Sequence, residues 1–123
     1  MRPTTLTTLL LSTAALALAS SCGGAPASAR AQQILALTGV AAAGTTVYVA
    51  NCGSCHGNDG KGTPSSDNVS IAARVKTRTP GEFIDFILLG VPGTGMLGFG
   101  GAGGLTDQQL ADVYAYIDTV LAP

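Results

Sequence analysis

The segment that decides the fold, residues 51–62, reads Asn51-Cys52-Gly53-Ser54-Cys55-His56-Gly57-Asn58-Asp59-Gly60-Lys61-Gly62. Two cysteines are separated by two residues and followed at once by a histidine, which is the pattern C-x-x-C-H. On a helix, positions three and four apart share one face, so a single turn can present both sulfur atoms and the imidazole together. His56 is the only histidine among the 123 residues.

This pattern predicts covalent attachment of haem c, with thioether bonds from Cys52 and Cys55 to the two vinyl groups and His56 as an iron ligand. Three alternatives are less favoured. A closed zinc site needs a fourth ligand, and the third cysteine is Cys22, far upstream. A thioredoxin-like redox pair belongs in an alternating strand and helix pattern, which is lacking here. A plain local disulfide is the third alternative.

The second iron ligand is predicted to be Met96. Apart from Met1 it is the only methionine, and it lies within residues 90–104, which contain eight glycines and one proline. Such a stretch is an extended loop rather than a helix. A lone methionine usually fills a core, but a glycine-rich backbone can bring its sulfur close to a flat ring. Met96 ligation is therefore the favoured interpretation.

The sequence predicts an all-α fold with short helices and long loops. The Ala-rich residues 40–51 favour a helix, and the turn-forming residues 57–70 favour a loop. Thr79 and Glu82 form a capping-box pattern that opens a helix over residues 80–89. Thr106 and Gln109 form a second one, which opens an amphipathic helix that ends the chain.

The N-terminus predicts export. Residues 1–21 have the charge, length and small-residue ending of a signal peptide, and Cys22 follows a lipobox-like sequence, which predicts a lipid anchor. The alternative is ordinary cleavage after Ala29, which discards Cys22. We expect a flexible tether over residues 22–39 and one folded domain over residues 40–123.

Charge excludes some partners. Without residues 1–21, the chain has five basic and seven acidic side chains. The sequence contains no basic patch interleaved with aromatic residues. A mildly acidic surface is repelled by a phosphate backbone, so we expect no nucleic acid partner. No charged residue lies between Asp85 and Asp107, so the Met96 loop should present a neutral surface that docks through apolar contacts.

These motifs together resemble class I cytochrome c, particularly the small bacterial monohaem electron-transfer cytochromes of the c6/c5-type group. The resemblance covers about residues 40–121. Its parts are the helix with Gly44 and Tyr48, the segment 51–62, the Met96 loop, and the segment 105–117. In one respect the sequence departs from the family, because Leu97 stands where proline commonly follows the ligand methionine.

The resemblance implies a class I cytochrome c fold wrapped around one covalent haem, with His56 and Met96 as axial ligands. It implies a monomeric single-electron carrier, not an enzyme, that works in the bacterial periplasm between donor and acceptor redox proteins. The first and last helices of the family cross near a small and an aromatic residue. Here that crossing corresponds to Gly44 or Tyr48 meeting Tyr114 or Tyr116.

Two further expectations concern the haem environment. The residues predicted to line it are Phe83, Ile87, Leu97 and Phe99. The basic residues Arg74, Lys76 and Arg78 are candidate partners of the propionates, although such side chains are more often solvated surface. Two other functions stay open: a ligand-binding or peroxidatic haem protein with a displaceable Met96, and a haem subunit of a larger oxidoreductase.

Overall fold

The computed structural model describes residues 26–64 and 70–123. The predicted signal peptide, residues 1–21, and Cys22 lie outside the described residues. Six α-helices and a final π-helical turn make up the described part, which contains no strand. The helices, in chain order, are α1 (Ala29–Leu35), α2 (Ala41–Asn51), α3 (Gly53–His56), α4 (Ile71–Val75), α5 (Pro80–Leu89) and α6 (Asp107–Tyr116), and the π-helical turn is Ile117–Leu121. The predicted all-α class is confirmed.

Both capping boxes form as the sequence predicts. Thr79 Oγ1 accepts a hydrogen bond from the Glu82 N–H at 3.3 Å, and Glu82 Oε2 accepts one from the Thr79 N–H at 3.0 Å. At the start of α6, Thr106 and Gln109 make the same reciprocal pair at 3.2 and 3.0 Å. Each box satisfies two donors that a helix start leaves without an intrahelical partner.

The centre of the fold is the packing of α2 against α6, the first and last helices of the family pattern. Tyr48 on α2 and Tyr116 on α6 bring their ring centroids to 5.4 Å, with the planes inclined at 55°. Tyr114 points to a different neighbour, Phe83 on α5, at 6.0 Å. The aromatic partner at the helix crossing is therefore Tyr116. The largest fully buried side chains of the core are Tyr48, Ile34, Ile84, Leu110, Val113 and Ile117.

The predicted tether spans residues 22–39, and over its described part, residues 26–39, the structure differs from that prediction. Ala29–Leu35 is helical, and Ala31 and Ile34 on one side of it are fully buried in contact with the rest of the core. Ser28 caps this helix through a hydrogen bond from the Ala31 N–H to its Oγ at 3.1 Å. Seven residues with two buried positions are too few to give a readable helical period, which explains why the sequence did not reveal α1.

The chain end and α4 also differ from expectation. The last helix was predicted to continue regularly, but its final turn widens, and the Ala122 N–H donates to the Ile117 carbonyl five residues back at 3.0 Å. Helix α4 was not predicted. It is capped by Ser70 and buries Ile71 and Val75, which pack beside this widened turn. None of the helices over residues 26–64 and 70–123 is long and apolar enough to cross a bilayer.

Candidate haem site

The C-x-x-C-H segment forms one helical turn directly after α2. The Cys52 N–H closes the last hydrogen bond of α2 onto the Tyr48 carbonyl at 2.8 Å, and Cys52 also begins α3. The N–H groups of Cys55 and His56 then donate to the Cys52 carbonyl at 3.2 and 2.9 Å. Two sulfur-bearing residues and the histidine are thereby held on a single backbone turn.

The two cysteines of this turn differ in exposure. Cys52 is buried, with 9% of its surface accessible, whereas Cys55 is exposed and His56 is half-buried. Burial, and to a smaller extent the neighbouring Cys55, raises the pKa of Cys52 to about 11. A buried thiol of this kind stays protonated at neutral pH.

A tight loop after the turn fixes the backbone of His56. The Gly62 N–H donates to the His56 carbonyl at 2.8 Å, and Thr63 Oγ1 donates to the Cys55 carbonyl at 3.2 Å. Gly57 has φ of 73°, and a Cβ there would lie 2.8 Å from the Gly62 carbonyl oxygen. Glycine is therefore required immediately after the histidine.

Tyr48 supports the same loop from the core. Its side chain is fully buried, and its hydroxyl donates to the Gly57 carbonyl at 2.8 Å. Burial raises the pKa of the Tyr48 phenol, with smaller contributions from Cys52, Tyr116 and Asp59. The phenol therefore remains a hydrogen-bond donor well into the alkaline range, and the residue following His56 stays connected to the α2 and α6 packing.

Met96 lies in the glycine-rich loop, residues 90–104, on a short hairpin that the sequence did not predict. An isolated antiparallel bridge pairs Gly90 with Leu97, and the Val91 N–H donates to the Met96 carbonyl at 3.0 Å. The Met96 N–H donates to Thr94 Oγ1 at 3.1 Å. These hydrogen bonds fix the backbone around Met96, whose side chain is half-buried.

The chain beyond Met96 returns along the end of α5. The Phe99 N–H donates to the Ile87 carbonyl at 2.8 Å, and the Gly100 N–H donates to the Leu88 carbonyl at 3.0 Å. The first of these residues, Phe99, packs partly buried against the core. The loop is thus irregular, as expected, but its backbone is attached to a helix on both sides of Met96.

The predicted haem-lining residues divide into two groups. Phe83 and Ile87 are each 5% exposed and belong to the core, with Phe99 packed beside them. Leu97, next to Met96, is 76% exposed. An exposed leucine of this kind is an apolar surface that a flat hydrophobic group or a protein partner can cover.

Two members of the predicted basic cluster have partners in the protein. Lys76 forms an ion pair with Asp118 at 3.0 Å, and its ammonium also donates to the Asp118 carbonyl at 3.1 Å. The Arg78 guanidinium lies 4.7 Å from the ring centroid of Phe86, in cation–π geometry. These contacts give both residues structural roles, and the propionate role stays a prediction.

The donor set of the turn fits haem c. Cys52, Cys55 and His56 supply two sulfur atoms and one imidazole on one helical turn, as covalent attachment with a histidine ligand requires. Among residues 26–64 and 70–123, no group of three or more His, Cys, Asp or Glu side chains is arranged to hold a metal ion.

The helical fold and this turn define a protein of the c-type cytochrome class. The family model described as cytochrome c oxidase, cbb3-type, subunit III, matches residues 39–117. The chain belongs to this family of cytochrome c domains, which implies covalently bound haem c with iron and a role in haem-based electron transfer. Comparisons with curated proteins and with solved structures give no significant match.

Proposed function

We propose that the protein is a single-electron carrier with one haem c, attached through Cys52 and Cys55 and ligated by His56 and Met96. The observation that carries this proposal is the arrangement of both cysteines and the histidine on the single turn α3. The loop hairpin around Met96 supports the second ligand, because its hydrogen bonds restrict the thioether to a defined region.

When bound, the haem supplies a one-electron couple at its iron. The residues of this chain determine what that couple can do. His56 is held through its own carbonyl and through Gly57, which limits reorientation of the imidazole. If His56 and Met96 both ligated the iron, the thioether beside the imidazole would raise the reduction potential, and both ligand positions would be taken by the protein. These two ligands therefore favour electron transfer over catalysis.

We also propose that the mature protein is exported and anchored at a membrane through a lipidated Cys22. Cytochrome c domains of this family are generally exported to the periplasm or associated with a membrane. Cleavage after Ala29 would remove Ser28, which caps α1 and binds Asp85 through its N–H at 2.8 Å and its hydroxyl at 2.5 Å. Cleavage at Cys22 keeps all of these contacts.

The length of chain between the anchor and α1 limits how far the domain can move. Ala27 already packs against the core. Only residues 23–26 then separate Cys22 from the folded part, a reach of at most about 18 Å at full extension.

Labelled palmitate should be incorporated into the wild type and not into Cys22→Ser. Equal labelling of both proteins would contradict the anchor.

A second candidate function is a haem subunit of a larger oxidoreductase. The observation that favours it is the description of the matching family, which names a subunit of an oxidase. The two candidates differ in purification from membranes. A subunit leaves the membrane together with a catalytic chain, whereas an independent carrier is recovered alone after mild detergent extraction.

The proposed function is tested on protein matured in a host that exports and assembles c-type cytochromes. A pyridine haemochrome spectrum and an intact mass should show one haem bound by two thioether bonds. Met96→Ala should abolish the methionine–iron charge-transfer band of the ferric protein and allow the reduced protein to bind carbon monoxide. Leu89→Ala, at an equally exposed leucine on α5 (76%), is the matched control and should retain the band. Colourless wild type with the mass of bare polypeptide would refute the proposal.

A further inference from the structure

Helix α1 lies before the segment matched by the family, which begins at residue 39. It is nevertheless docked firmly on the domain. Ala31 and Ile34 are fully buried, and Ser28 at its start binds the Asp85 carboxylate on α5 through both its N–H and its hydroxyl. Arg30 is the second residue of α1, and its side chain extends from this helix to the glycine-rich loop.

The guanidinium of Arg30 joins the glycine-rich loop, at Gly100, to the first turn of α6, at Asp107. Its Nε and Nη2 donate to Asp107 Oδ1, in the first turn of α6, at 3.0 and 2.8 Å. Its Nη1 donates to the Gly100 carbonyl. The planar fork of arginine suits such a bridge, because its donors are fixed relative to one another.

Gly100 lies four residues after Met96, and its peptide is held from two sides. Its N–H donates to the Leu88 carbonyl on α5, while its carbonyl accepts from Arg30. The preceding residue, Phe99, is bound to Ile87 and accepts a hydrogen bond from the Leu105 N–H at 2.9 Å. The part of the Met96 loop that follows the methionine is thus hydrogen-bonded to both α5 and α1.

We propose that Arg30 is a positioning residue for the Met96 ligand. Through Gly100 and Asp107, it holds the loop against the domain and keeps the Met96 thioether in its ligand position. This inference rests on the proposed function, since it takes Met96 to be an iron ligand. The N-terminal helix then acts as a strap on the ligand loop, and releasing it lets the loop open more often.

The test uses the ferric holoprotein and the variants Arg30→Gln and Arg30→Lys. The matched control is Asp118→Asn, because the Lys76–Asp118 ion pair that it breaks has similar side-chain exposure, 50% and 37%, against 41% and 42% for Arg30 and Asp107. That pair links Lys76, the residue after α4, to the final turn, away from Arg30 and Gly100 in sequence. Each variant is titrated with imidazole, which competes with methionine for the sixth position, while the charge-transfer band is recorded.

An opening that becomes more frequent raises the apparent affinity of a competitor in proportion to the open fraction. Arg30→Gln should bind imidazole about fivefold more tightly than wild type, as expected for loss of one bridging hydrogen-bond set. Arg30→Lys, with a single ammonium for two acceptors, should lie between them. Asp118→Asn should match wild type even where its thermal stability falls as much as that of Arg30→Gln.

Amide hydrogen exchange provides a second readout that does not depend on the iron. The N–H groups of Phe99, Gly100 and Leu105 should exchange faster in Arg30→Gln than in wild type and Asp118→Asn. Unchanged exchange would overturn the strap itself. Faster exchange with unchanged imidazole affinity would overturn its coupling to Met96, leaving the proposed function intact. A wild-type holoprotein without the charge-transfer band would instead refute Met96 ligation, and with it this coupling.

Discussion

The α-carbon of Gly44 on α2 lies directly against the backbone carbonyl of Asp112 on α6, and a Cβ at Gly44 would be 2.6 Å from the carbonyl carbon. The Asp112 side chain reinforces the same crossing. Its Oδ1 accepts hydrogen bonds at 2.8 Å from the Val40 N–H and from the Gln108 amide. Because Val40 has no side-chain cap of its own, α6 supplies the cap of α2. The crossing point and the start of α2 are thus fixed together.

Replacing Gly44 by alanine should destabilise the protein by about 2 kcal/mol, as overpacking a tight contact does. Helix propensity alone predicts the opposite, a gain of about 1 kcal/mol, so the sign of the change tests the contact. Denaturant unfolding of the holoprotein measures it. Gly101→Ala is the control, because a Cβ there meets nothing within 4 Å. Stabilisation by Gly44→Ala would show that the helices do not cross as closely as described.

Removing the hydroxyl of Tyr48 should cost about 2 kcal/mol at neutral pH. The Gly57 carbonyl loses its donor in Tyr48→Phe, and a buried polar group left without a partner carries its desolvation cost. Tyr114→Phe provides the comparison, since Tyr114 is half-buried and packs on Phe83 rather than near the C-x-x-C-H turn. Equal unfolding free energies for wild type and Tyr48→Phe would contradict the importance of this hydrogen bond.

The difference in unfolding free energy between wild type and Tyr48→Phe should decrease at alkaline pH. The pKa of the Tyr48 phenol is raised above its ordinary value, which is near 10, chiefly by burial. The folded state therefore binds the phenolic proton more tightly than the unfolded state does. This contribution to stability is complete below about pH 10 and is lost as the pH rises above it. The difference in unfolding free energy between wild type and Tyr48→Phe should shrink there, and a difference that widens would exclude the raised pKa.

Helices whose boundaries are encoded in neighbouring residues could be predicted from the sequence. The two capping boxes lie within four residues each, and both form with the predicted partners. The helix over residues 40–51 is confirmed as Ala41–Asn51, although Val47, Tyr48 and Val49 favour strands. Alanines, which have the highest helix propensity, precede these three residues, and the C-x-x-C-H turn follows the helix directly.

Features that depend on distant parts of the chain could not be predicted. Helix α1 is stabilised by Asp85 and Asp107, more than fifty residues away, and its own seven residues give too weak a pattern. The choice of Tyr116 over Tyr114 depends on where Phe83 lies. The hairpin at Met96 depends on the pairing of Gly90 with Leu97, in a loop whose glycines indicate irregularity without specifying a path.

The start of α6 provides a test of local capping. Thr106→Ala removes the hydroxyl that accepts from the Gln109 N–H, and the loss of such a cap costs about 1 kcal/mol. Thr119→Ala is the control, because the Thr119 hydroxyl only donates to the Ala115 carbonyl one turn back, at 2.6 Å. Unfolding by urea should show a lower midpoint for Thr106→Ala than for Thr119→Ala. Identical midpoints would mean that packing alone holds this helix end.

Electron transfer should depend only weakly on ionic strength if the partner docks at the Met96 loop. Residues 86–106 contain no charged side chain. Of the two flanking carboxylates, Asp107 is paired with Arg30, so Asp85, hydrogen-bonded to the neutral Ser28, is left as a single unpaired charge. A single unpaired charge near the docking edge can steer a charged partner only weakly. Salt weakens that steering further, because the Debye length falls from about 30 Å at 0.01 M to about 8 Å at 0.15 M salt. The bimolecular rate with a charged partner should therefore change by less than about threefold over this range.

Gly101→Lys and Gly101→Asp place opposite charges on the loop where a side chain has open space, and they should shift the low-salt rate in opposite directions. A steep salt dependence of the wild type, with no effect of either variant, would move the docking surface to another face of the protein.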